Sequence, residues 1–216
     1  MREMEPSGDS SIDILEVFEE LKRPPLNLLP KERKLRESGI DNFKSGVLFR
    51  RTIFFDPKYR HLPVNDLRYA LLHEEGHKKK KKYTTLVLEI DVFVILLSSF
   101  LISYSPINQK IQLAITYGLL PVYIFLLLSS LRIFGGAIQK DEYFADKYSA
   151  MILKQSFGVR RPSLIVESTL SKITSSRNKD ALSYRLGVLF FGGLHPSDEE
   201  RVGAIERTVD EQSDTE

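Results

Sequence analysis

Leu67-Arg68-Tyr69-Ala70-Leu71-Leu72-His73-Glu74-Glu75-Gly76-His77 is the stretch on which the reading of this chain turns. Asn65 or Asp66 is a residue type that opens helices, and Leu67, Ala70, Leu71 and Leu72 supply an apolar run, so a partly buried helix is expected. Residues four apart share a helix face, which lets His73 and His77 present their imidazoles to one metal ion. Glu74, one residue after the first histidine, is placed to act as general base towards a water held there. Glycine costs a helix about 1 kcal/mol relative to alanine, so Gly76 beside a candidate ligand points to close packing. The plainer alternative is a surface helix with two incidental histidines, and both the apolar lead-in and the glycine weigh against it.

Composition narrows which ligands can complete such a site. The chain has 216 residues, no cysteine and a net charge of +2. Thiolate ligands and disulfides are thereby excluded, and any metal must be held by His, Asp or Glu. Zinc suits imidazole and carboxylate donors and lowers the pKa of a bound water towards neutrality. A charge so near neutral gives no argument for nucleic acid as a partner. The first twenty residues are acidic and lack an apolar stretch, unlike a secretory signal, and both termini are expected in the cytoplasm.

Upstream of the key stretch, Met1 to about Ser10 reads as a disordered lead. A short amphipathic helix follows, capped by Ser10 or Ser11, with Ile14, Val17, Phe18 and Leu21 on one face and Pro24-Pro25 as its stop. The polar run KERKLRESGIDNFKSG comes next, then a strand over Val47–Phe55 and a turn at Asp56-Pro57. His61 matches no motif position and reads as a turn residue. The terminal DEQSDTE reads as a solvated acidic tail.

Downstream, charge nearly vanishes. About 18 uncharged residues run from Val92 to Gln109 and about 21 from Ile111 to Leu131, the length a bilayer-spanning helix needs. A short link, Ser105 to Lys110 with Pro106 and Asn108, makes them a transmembrane helical hairpin. Buried helices of a soluble core are the alternative, but a chain this small offers little protein to surround them. Ser98, Ser99, Ser103 and Pro121 are tolerated in membrane helices, where nearby groups satisfy the freed backbone. Lys78–Lys82 precede the first span and Arg132 and Lys140 follow the second, so the positive-inside bias places both ends in the cytoplasm. If the helix runs unbroken from His77 to Leu86, the site lies roughly 14 Å from the apolar region.

A catalytic zinc site needs a third protein ligand and an open position. Glu142, in DEYFADKYSA just after the second apolar run, is the candidate. Asp146 lies one helical turn on and can accept the other ring N–H of a ligating histidine. Alone, Glu142 would read as a solvated helix charge; its pairing with HEEGH gives it weight.

HEEGH, two membrane spans, ExxAD and a late His-Pro together resemble the HtpX-type and CAAX prenyl proteases, integral-membrane zinc endopeptidases of the gluzincin type. The resemblance covers roughly Gly46 to Arg207. It implies that His73, His77 and Glu142 ligate zinc, that Glu74 is the catalytic base and that Asp146 supports a ligand. It further implies that His195 and Arg201, in HPSDEERVGAIER, steady the oxyanion. Without it, His195 would read as an ordinary residue before a helix, with Pro196 in the first turn. The chain lacks the further membrane hairpin that HtpX-type enzymes carry ahead of this helix. The expectation is that oligomerisation supplies walls, or that the site is an open cleft at the bilayer surface.

The expected fold is therefore mainly α with a small β element (α+β): a zincin-like domain interrupted by a membrane hairpin. Its parts are an N-terminal helix and polar lead (1–45), a strand and HExxH helix (46–85), the hairpin (86–134), the ExxAD helix and His-Pro segment (135–209) and the tail (210–216). The expected activity is zinc-dependent hydrolysis of peptide bonds in membrane or membrane-proximal proteins, with the lipid bilayer and a possible second copy as partners. The rival is a proteolytically inactive zinc-binding scaffold, which would have no use for Glu74.

Overall fold

The computed structural model describes residues 12–39, 43–45, 51–79, 84–104, 107–174 and 195–211. They are mainly helical, with one small sheet. Asp13 rather than a serine caps the first helix, α1 (Ile14–Lys22), its side chain accepting from Leu15 N at 2.9 Å. Ser10 and Ser11 lie outside the described residues. The helix ends before the Pro24-Pro25 pair, as expected, with Arg23 already extended.

The sheet has strands β1 (Lys34–Glu37), β2 (Lys44–Ser45) and β3 (Thr52–Phe55), in the order β1-β3-β2. β1 runs parallel to β3 with Lys34 opposite Thr52, and β2 runs antiparallel with Lys44 opposite Phe54. The first two strands fall in the polar run, to which the sequence assigned no element. β1 is an edge strand whose side chains are mostly exposed, so the apolar alternation that marks a half-buried strand is missing from it. The expected strand over Val47–Phe55 is seen from Thr52, while residues 46–50 lie outside the description. Asp56 caps a single 3-10 turn, Pro57–Tyr59, which leads into α2 (Val64–Lys79).

α2 carries the apolar run into the interior. Ile14, Val17, Phe18 and Leu21 of α1, Ile53 and Phe55 of β3, and Leu67, Leu71 and Leu72 of α2 form one core cluster. Tyr69 faces another, with Ala150, Leu153, Val166, Leu170, Ile205 and Val209. These belong to α4 (Gln109–Phe157), α5 (Pro162–Thr174), α6 (Asp198–Ile205) and the π turn Glu206–Asp210. Gly158, with φ of 68°, closes α4, and Val159 N donates back to Leu153 O at 3.1 Å. That left-handed stop with a six-residue return bond is a Schellman ending, which suits glycine.

By its contacts the chain divides into two units. One comprises Met1–Lys80, Asp141–Arg177 and Pro196–Glu216, so α1, the sheet and α2 share a unit. The other comprises Lys81–Lys140 and Asn178–His195. In the second, α3 (Thr84–Ser103) is apolar from Val92 to Ser103 and stops just ahead of the link expected from Ser105. Gln109, within the expected link, opens α4, which continues through Pro121. Among the described residues α4 is the one helix long and apolar enough to cross a membrane. Phe93, Leu96, Phe100, Leu113, Leu120 and Phe125 are all exposed. Ser99 and Ser103 donate to carbonyls one turn back, both at 2.8 Å, and Ser98 meets the Tyr123 hydroxyl at 2.6 Å. The hydroxyls in this apolar region thus find partners within it. Residues 80–83, across which an unbroken helix from His77 to Leu86 was expected, lie outside the description.

Candidate metal centre

His73 and His77 stand one turn apart on α2, and their Nε2 atoms lie 3.0 Å from each other. Glu142, from the last part of α4, brings Oε2 to 3.5 Å from His73 Nε2 and Oε1 to 3.6 Å from His77 Nε2. All three ligand atoms fall within 4.8 Å of one another. Tetrahedral bonds of 2.0–2.1 Å would set ligand atoms about 3.4 Å apart. Two nitrogens and a carboxylate oxygen at this spacing could hold a metal ion.

Gly76 is what lets the helices come this close. A Cβ built on it would lie 2.8 Å from Ala145 Cα and 3.2 Å from Ala145 O. The glycine of HEEGH therefore rests on the backbone of ExxAD, in agreement with the packing inferred from its helix cost. Glu74, between the two histidines in sequence, is buried.

The ring nitrogens turned away from Glu142 each meet another carboxylate. His73 Nδ1 lies 2.8 Å from Asp146 Oδ1, close in distance though bent off the N–H axis. His77 Nδ1 lies 2.9 Å from Asp141 Oδ2. Asp146 is fully buried and collects further donors: Arg201 Nε to Oδ2 and Nη2 to Oδ1, both at 2.7 Å, and the Tyr69 hydroxyl to Oδ1 at 2.6 Å. Arg201 Nη2 also reaches Tyr69 Oη at 3.3 Å and stands 3.5 Å from Glu142 Oε2.

Charge follows from this arrangement. Burial alone would raise the Asp146 carboxyl, but Arg201 and His73 outweigh it and hold the group well below its usual range. Burial disfavours the charged His73 ring, yet hydrogen bonds and charge from Asp146 and Glu142 prevail and push it up to about 10. Burial drives the Tyr69 hydroxyl up, with Asp146 adding to it, so Tyr69 stays a neutral donor.

Arg201 follows from local sequence. Ser197 caps α6, accepting from Glu200 N at 3.2 Å while its own N donates to Glu200 Oε2 at 2.8 Å. This capping box starts the helix at Asp198, so Pro196 precedes the cap instead of occupying the first turn. Arg201, in the turn that follows, is buried on Asp146. His195 is exposed and groups with the second unit, so its assignment rests on the resemblance.

Three contacts were not read from the sequence. Tyr69 had a signal, since it lies one turn before His73 on the same helix face. Asp141, adjacent to Glu142, lies outside the ExxAD pattern and has no local feature that sets it apart from a solvated helix charge. The buried ion pair of Arg33 with Glu75 ties the start of β1 to the second glutamate of HEEGH, and nothing local predicts it. Compared with protein-family models, with curated proteins and with solved structures, the chain matches none.

Proposed function

We propose that the chain is a membrane-anchored zinc endopeptidase of the HtpX-like kind. The observation that carries the proposal is the convergence of His73, His77 and Glu142 ligand atoms from two helices far apart in sequence. A bound zinc ion would polarise the scissile carbonyl and make water nucleophilic near neutral pH. Glu74 takes a proton from the attacking water and delivers it to the leaving amine. Asp146 and Tyr69 fix the His73 ring, and Arg201 supplies positive charge beside Glu142. His195 keeps its oxyanion role from the resemblance alone.

The membrane part of the proposal rests on the apolar α4 and on flanking charge. Two spans, within 92–109 and 111–131, would form a hairpin interrupting a zincin-like domain. Lys78–Lys82, Arg132 and Lys140 favour cytoplasmic ends under the positive-inside bias. Glu142 follows the apolar run in the same helix, which favours membrane-associated proteins and their membrane-proximal segments as substrates. Either a second copy supplies walls around the site, or the site is an open cleft at the bilayer surface.

Glu74→Gln separates this reading from an inactive zinc scaffold. The enzyme reading expects the variant to keep its zinc while peptide-bond cleavage falls about 10²- to 10⁴-fold. A wild type that binds zinc and cleaves nothing, with the variant indistinguishable from it, would favour the scaffold.

A further inference from the structure

Both candidate ligand rings are oriented alike. Nε2 of each faces the other ring and Glu142, and Nδ1 of each faces an aspartate of α4. The pairing follows from the helices crossing in opposite directions: the step from His73 to His77 on α2 is matched by the step from Asp146 back to Asp141 on α4. Asp146 belongs to the ExxAD pattern; Asp141 does not.

Resting on the metal reading above, we infer that Asp141 is a positioning residue for His77, fixing its Nδ1–H tautomer and aiming Nε2 at the metal. A carboxylate accepts hydrogen bonds and does not donate them. The His77 nitrogen 2.9 Å from Asp141 Oδ2 must then carry the ring proton, which leaves Nε2 with its lone pair. Asp141 stays outside the group of atoms that would touch the ion, because the imidazole lies between. Its effect passes through His77: a ring held by an acceptor loses less freedom on binding and is a more basic ligand. The His77 carboxylate stands one residue before the metal-ligating one, so a single turn of α4 both completes the ligand set and orients it.

The test compares detergent-purified full-length wild type with Asp141→Asn and Asp141→Ala. Zinc affinity is measured by chelator competition, the visible spectrum by cobalt(II) substitution and the melting temperature on metal-free protein. Asp141→Ala is expected to weaken zinc binding about 10- to 100-fold and to alter the cobalt spectrum. Asp141→Asn retains an oxygen that accepts the Nδ1–H and should lose distinctly less. The inference is overturned if Asp141→Ala binds zinc within about twofold of wild type with an unchanged spectrum. It is equally overturned if both variants weaken alike in step with their metal-free melting temperatures, the mark of a purely structural role. A wild type that takes up no zinc would sink the metal reading and this inference with it, whereas the first two outcomes leave the metal reading standing.

Discussion

Asp146 has no exposed surface, and its two oxygens are shared among Arg201, Tyr69 and His73. An arginine with two bonds to such a carboxylate is part of the site's foundation, whatever it also does for a substrate. Removing one partner of a buried pair typically costs about 3–5 kcal/mol, because the remaining charge is left uncompensated. Arg201→Ala should therefore lower both the melting temperature and zinc retention, while Arg201→Lys, which keeps the charge but loses the fork, should fall between. A pure oxyanion role predicts the opposite split: slower cleavage with melting temperature and zinc content unchanged, as read by thermal denaturation and metal analysis. The sequence pointed to Arg201 and Asp146 separately; their contact was not legible, because it joins α6 to α4 across 55 positions.

Among the elements, the crossing of α2 and α4 decides whether a site exists. Gly76→Ala would push a methyl group to 2.8 Å from the Ala145 backbone, and backbone cannot swing aside as a side chain does. We expect overpacking to cost about 1–3 kcal/mol. The helices would part and zinc affinity would drop, even though alanine is the better helix former. Unchanged affinity and a raised melting temperature in Gly76→Ala would show that the crossing is loose. These two helices were legible because their apolar runs and spaced ligands act within single turns. The edge strands β1 and β2 and the Arg33–Glu75 tie were not: each is set by contacts with distant segments, and an exposed edge strand leaves no apolar alternation to read.

Across the whole molecule, membrane topology and metal content carry the account. The chain has no cysteine, so a single introduced one reports without background. Ile107 is exposed in the link between α3 and α4, and Arg36 is exposed on β1. Two spans with cytoplasmic ends predict that an impermeant maleimide labels Ile107→Cys in intact cells and Arg36→Cys only after lysis. Labelling of Ile107→Cys only after lysis would contradict that topology. α4 was legible as an apolar stretch from composition, and the stop of α3 at Ser103 from the short link read from Ser105 with Pro106 and Asn108. The most direct measurement is the zinc content of detergent-purified wild type and Glu142→Ala, before and after chelation. One zinc ion per wild-type chain, removable by chelator, and a large loss in Glu142→Ala are expected. Wild type without zinc, or Glu142→Ala with as much zinc as wild type, would contradict the metal reading.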